Sequence, residues 1–207
     1  MTATIVIGTH NRKKCREIAR ILEADGLRLL TLDDFPDAPE VVEDGTTFEE
    51  NAIKKATELA DALGETVVAD DSGLEVDALE GRPGVVSARY GGEHGNDARN
   101  IEKVLAEMQG VSPERRTARF RTVAALARPG ELLVTVDGAL EGTIAERTRG
   151  TNGFGYDPIC LLPDRGRTCA ELSPDEKDAV SHRGQAFRKL KKELPRFINL
   201  GADEEHL

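Results

Sequence analysis

Residues able to do chemistry gather in a few short segments of the chain. The stretch Val67-Val68-Ala69-Asp70-Asp71-Ser72-Gly73 sets two carboxylates side by side at the end of an apolar run. Removing an ionised carboxylate from water is costly unless a cation meets it, so the pair is either a solvated turn or the seat of a positive ion. Neighbours in an extended strand face opposite sides, which groups Asp71 with Val67 and Ala69, and Asp70 with Val68. Basic residues stand at three places where an anion could be held. Thr9-His10-Asn11-Arg12-Lys13-Lys14 follows an apolar strand, and a strand–loop–helix junction points backbone N–H groups at anions. Lys14 shares the inward helix face with Ile18 and Ile21; an ordinary basic helix start is the plain alternative. Lys55 falls at the edge of the stripe Phe48, Ala52, Ala56, Leu59, Leu63, where a lysine usually snorkels, while Lys54 points to water. Ser181 can cap a helix whose first turn then carries His182 and Arg183, against the helix dipole unless an anion binds alongside. Lys177 lies shortly upstream, and Arg188, Lys189, Lys191 and Lys192 are expected in water.

Composition narrows the partners. With 207 residues and 39% hydrophobic content, the chain can bury a sizeable core in one compact unit. A net charge of -10 repels a phosphate backbone, and 4% aromatic residues without Trp give few rings for stacking bases. Nucleic acid is therefore not expected as a partner. Cys15, Cys160 and Cys169 are odd in number and fit no metal spacing, which points to free thiols in a reducing compartment. No apolar run has the length of a signal peptide or a membrane span, so the expectation is a cytoplasmic protein without a membrane partner.

The elements that must position these groups alternate between strand and helix. A short strand over 4–8 is followed by a helix from Arg12 to Asp25, then a strand from Leu27 to Thr31. The stretch to Gly45 reads as loop with a strand-like piece near Val41. Thr46 or Thr47 caps a helix from Phe48 to Leu63 that Gly64 ends. The strand VVAD is read as giving way to a loop, GLEVDALEGRPG, and a helix fits Asp97 to Met108. Thr117 to Ala127 and Glu131 to Ala139 look like a hairpin about Pro129-Gly130. Gly150 to Asp157 is a glycine-rich loop, and a last helix runs from Ser181 to Pro195 before a frayed tail, 199–207. The pattern is α/β with a mixed sheet.

Six segments in register give the chain a family likeness: Thr9-Asn11-Lys14 as TxNxxK, TFEENAIKKA at 47–56, ADDSGLEVDAL at 69–79, GRPGVVSARY at 81–90, GFGYDP at 153–158 and EKDAVSHRGQA at 176–186. Together they closely resemble the inosine triphosphate pyrophosphatase family, over residues 5 to about 195. His10 stands where Gly or Asn is more usual. The resemblance implies one domain over 1–207: an elongated, two-lobed α/β fold with a central mixed sheet flanked by helices and a substrate cleft between the lobes. It implies Mg²⁺-dependent hydrolysis of dITP, ITP and XTP to monophosphate and pyrophosphate by a homodimer, clearing these nucleotides from the pool.

By the same resemblance Asp71 is the catalytic base and a metal ligand, with Glu43 as second metal ligand, although Asp44 adjoins it and a solvated loop acid is the plain alternative. Asp70 would hold the turn, and Ser72 would let the backbone approach substrate. The segment Thr9, His10, Asn11, Arg12, Lys13, Lys14, with Lys55 and Lys177, would hold the phosphates. Phe154, Gly155, Tyr156, Asp157, His182 and Arg183 would read the base, with Phe154 stacking and His182 and Arg183 donating to a 6-oxo group. Two readings compete: a nucleotide-binding module without turnover, and a pyrophosphatase for pyrimidine or modified nucleotides resembling the Maf-type family.

Overall fold

In the computed structural model, residues 2–199 are described; the segment expected to fray, 199–207, lies outside that range but for Asn199. Among these residues seven strands form one mixed sheet: β1 (Ala3–Ile7), β2 (Leu27–Thr31), β3 (Val67–Val76), β4 (Thr117–Arg128), β5 (Glu131–Ile144), β6 (Cys160–Leu162) and β7 (Arg167–Thr168). Their order is β2-β1-β3-β4-β5-β6-β7. β1 pairs in parallel with β2 and β3, while β5–β6 and β6–β7 are antiparallel. Among the described residues, five α-helices accompany them: α1 (Arg12–Leu22), α2 (Phe48–Leu63), α3 (Asp97–Glu107), α4 (Pro174–Val180) and α5 (His182–Glu193). None is long and apolar enough to cross a membrane.

The chain divides into two compact units. The first comprises residues up to Asp71, 123–137 and the chain from Ala186 on. Its core sets Ile5, Ile7 and Val68 against Ile18 and Leu22 of α1 and Phe187 of α5. Asn11 caps α1 by accepting from the N–H groups of Lys13 and Lys14. Thr47 and Glu50 form a reciprocal capping box on α2, and Gly64 ends that helix in the left-handed conformation that glycine adopts without steric cost. The second unit comprises 72–122 and 138–185, with Leu74, Val76, Val104, Met108, Tyr156 and Ile159 in its core.

Several expectations need correction. The first helix stops at Leu22 rather than Asp25, and no strand forms near Val41. β3 does not end at the acidic pair but runs on through Ser72-Gly73-Leu74-Glu75-Val76. Leu74 and Val76 are buried on one face, while Glu75 on the other faces the guanidinium groups of Arg119 and Arg121. Hydrophobic burial every second residue thus keeps the strand extended where Ser-Gly reads locally as a turn. β6, β7 and α4 were not anticipated, and the hairpin's second strand reaches Ile144. Lys191 is half-buried, not simply solvated: its Nζ donates to the carbonyls of Ile21 and Glu23 at the end of α1, at 3.2 and 2.5 Å.

Candidate active site

In the first unit, the alternation of β3 sorts the two aspartates. Asp70 shares the face of Val68, which packs with α1, and Lys14 of α1 places Nζ 3.2 Å from its Oδ2. Asp70 is fully buried, so this ammonium supplies the charge its burial demands. Asp70 therefore holds a lysine in an unbroken strand, not a turn. Asp71 faces the other way, where Asn51 of α2 donates from Nδ2 to its Oδ2 at 2.9 Å. Oδ1 of the same Asn51 accepts the Gly45 N–H at 2.8 Å, which fixes the loop carrying Glu43.

Lys55 is buried, not snorkelling: its Nζ donates to the Asp70 carbonyl at 3.0 Å and pairs with Glu43 Oε1 at 2.7 Å. Asp44 turns outward to pair with Lys54 at 2.6 Å, its side chain 67% exposed, so of the two adjacent acids it is Glu43 that joins this cluster. Burial raises the Asp71 pKa, Lys14, Lys55 and the Asn51 hydrogen bond pull it down, and the Glu43 charge pushes it up again. Burial wins. A hard cation fits here, because Mg²⁺ takes oxygen ligands and uses one or two carboxylates with substrate phosphates rather than a full protein cage. Among the described residues no group of three or more His, Cys, Asp or Glu could hold a metal alone.

The loop after β1 builds the start of α1. Asn11 Oδ1 occupies the N–H groups of Lys13 and Lys14 at 3.0 and 3.2 Å, so those donors serve the helix cap. Thr9 Oγ1 accepts the Asn11 N–H, and the Cys15 thiol donates to the Thr9 carbonyl. His10, Arg12 and Lys13 are exposed, with Arg12 3.6 Å from Asp33. Of this segment Lys14 is the side chain brought to the acidic pair.

The second unit assembles a different set. Asp157 organises the GFGYD turn: its Oδ2 accepts the Phe154 N–H at 2.8 Å and pairs with Lys177 Nζ at 2.6 Å. A Cβ on Gly153 would stand 2.0 Å from that same oxygen, at a φ of +77° that side chains rarely adopt, so glycine is required. The half-buried Phe154 ring has Lys177 Nζ 4.8 Å and Arg183 Cζ 5.6 Å from its centroid. Arg183 is buried and donates from Nη2 to Ser72 Oγ at 3.2 Å; Ser72 in turn lies 2.5 Å from Thr122 Oγ1. His182 stacks on Phe120 with centroids 4.9 Å apart. Tyr156 belongs to the core, its hydroxyl donating to the Ser87 carbonyl at 2.8 Å. Gly155 presents its N–H to Asp97 Oδ2 at 2.8 Å. Lys177, on α4, thus sits with Asp157 and Phe154.

Sequence reasoning missed Asn51, Phe120, Thr122 and Asp97. Asn51 had a signal, since it lies one turn before Lys55 on the same helix face. The other three act across 58, 50 and 62 positions of chain, at Gly155, Ser72 and His182, which no local pattern encodes.

Known proteins resemble this chain along most of its length. Residues 5–193 match the Ham1 family. A protein of Geobacillus kaustophilus named dITP/XTP pyrophosphatase is 53% identical over 194 residues, 94% of this chain and 95% of the relative. A solved HAM1 protein from Coxiella burnetii superposes with a TM-score of 0.85 at 41% identity, covering 94% of this chain and 100% of its own. The crystal structure of a nucleoside-triphosphatase / dITP/XTP pyrophosphatase from Mycobacterium abscessus gives 0.74 at 49% identity, over 90% and 98%.

Proposed function

The chain belongs to the Ham1 family, and from that premise we propose that it hydrolyses non-standard purine nucleoside triphosphates (dITP, ITP and XTP) to the monophosphate and pyrophosphate. One observation carries the reading: a buried aspartate, Asp71, held by Asn51 beside Glu43 and the ammonium groups of Lys14 and Lys55. Glu43, Asp70 and Asp71 carry one charge more than Lys14 and Lys55 balance, so the cluster suits a divalent cation that brings a polyphosphate with it.

Mg²⁺ held by Asp71 and Glu43 would neutralise phosphate charge and polarise a phosphoryl oxygen. The chain's own groups do the rest. Lys14, drawn to the acidic pair by Asp70, would meet phosphate oxygens with its ammonium group. Lys55, anchored on the Asp70 carbonyl, meets the polyphosphate likewise and offsets charge gathering on the pyrophosphate leaving group. Thr9, His10, Asn11, Arg12 and Lys13, next to Lys14 in the chain, would hold the phosphates with it. Asp71 receives the proton of the water that attacks the α-phosphorus.

Phe154 stacks on the purine, and Lys177 and Asp157 hold its turn with Gly155, on Tyr156 as a buried base. His182 and Arg183 donate to the 6-oxo group, and Ser72 orients Arg183. A 6-amino group cannot accept those bonds, which leaves buried donors unpaired and disfavours adenine. The protein works in the cytoplasm as a homodimer. A substrate panel with Mg²⁺ tests the reading: kcat/KM for ITP, dITP and XTP should exceed that for ATP by at least about 10²-fold. Equal use of ATP would reject the specificity, and preference for dTTP or UTP would favour a pyrimidine pyrophosphatase.

A further inference from the structure

The turn that carries Phe154 hangs on two carboxylates, and only one of them belongs to it. Asp157 holds the Phe154 N–H from within the turn, whereas Asp97, the first residue of α3, holds the next N–H, that of Gly155, at 2.8 Å. Gly153 and Gly155 both have positive φ, 77° and 57°, so nothing in the local backbone preference keeps this segment in one conformation. Fixing two successive peptide N–H groups fixes the plane of the peptide between Phe154 and Gly155, and with it the direction of the Phe154 ring.

The start of α3 is itself held rigidly. Asn96 caps it by accepting the Arg99 N–H at 3.1 Å. The buried Asn100 accepts the Gly91 N–H at 2.6 Å and donates to the Ala88 carbonyl. Gly91 lies so close that a Cβ would come within 2.8 Å of the Arg99 carbonyl oxygen. Asp97 is thus a short side chain on an immobile mount, and a charge-assisted bond to a backbone N–H is among the stronger hydrogen bonds a protein makes.

We propose that Asp97 is a positioning residue for base recognition: through the Gly155 N–H it holds the Phe154 ring where the purine of a non-standard nucleotide stacks. This rests on the activity proposed above. Because the bond needs an acceptor oxygen rather than a full charge, Asp97→Asn should keep it and Asp97→Ala should lose it. In Asp97→Ala, amide exchange followed by mass spectrometry should speed up over 153–157 but not over the α1 and α2 segments. Its KM for ITP and XTP should rise about tenfold while kcat stays within about threefold, the pattern of lost binding rather than lost chemistry. Asp97→Asn should restore both exchange and KM to near the parent values.

Unchanged exchange in Asp97→Ala would overturn the tether. Faster exchange with an unchanged KM would overturn the role in recognition, as would a loss confined to kcat, or an Asp97→Asn variant as impaired as Asp97→Ala. If the unaltered protein did not turn over ITP or XTP, the proposed activity would fall, while the exchange comparison would still decide whether Asp97 holds the turn.

Discussion

Asp71 is pulled two ways: burial resists its charge, while Lys14, Lys55 and the Asn51 amide favour it, and burial prevails. A carboxylate whose pKa is higher folded than unfolded destabilises the fold when ionised. That cost is full at neutral pH and vanishes as the pH falls below the ordinary carboxylate value, where both states bind the proton. Asp71→Asn, whose amide oxygen can still accept from Asn51, should therefore melt higher than the parent at pH 7 in metal-free buffer, with the gap closing toward about pH 4. The same variant should lose at least about 10²-fold in turnover, the scale of a general base. Thermal melts across pH and initial rates check the two halves; a variant less stable than the parent at pH 7, or one keeping a tenth of the activity, contradicts this account of the site. At this scale much was legible. The opposite facing of Asp70 and Asp71 follows from strand alternation. That Asp70 meets Lys14 and Asp71 meets Asn51 does not, because it depends on which helix covers which face.

Elements were readable where their signals are local. The stripe of α2 and its Thr47 cap come straight from spacing, as does the turn at Pro129-Gly130. α4 also carried a signal, Ser173-Pro174 with Glu176 completing a capping box, and this one was overlooked. The length of β3 was hidden for another reason: Ser72-Gly73 signals a turn, and the burial of Leu74 and Val76 in a strand between β1 and β4 overrides it. The surface lysines of α5 show the same limit. Lys191 ties α5 to two terminal carbonyls of α1, a contact across 168 to 170 positions, whereas its neighbour Lys192 is exposed. Lys191→Ala should cost about 1 kcal/mol of unfolding free energy, and Lys192→Ala nothing resolvable, in denaturant titrations of the two variants. Equal effects would show that the capping bonds do not contribute.

The whole molecule is acidic, yet several of the cations assigned to substrate are withdrawn from its surface: Lys55, Lys177 and Arg183 are buried and Lys14 half-buried, while Arg12 and Lys13 stay exposed. Such a distribution repels extended polyanions while keeping local attraction for a small one. The homodimer that the sequence resemblance implies should appear in light scattering as twice the chain mass; a monomer across the working concentration range would remove it. The central claim concerns one bond, between the α-phosphorus and the bridging oxygen of the pyrophosphate leaving group. Hydrolysis of ITP or XTP in ¹⁸O-water tests it most directly. Attack at the α-phosphorus places the heavy oxygen in the nucleoside monophosphate and leaves the pyrophosphate unlabelled. Label in the pyrophosphate, or release of orthophosphate with a nucleoside diphosphate, would contradict it.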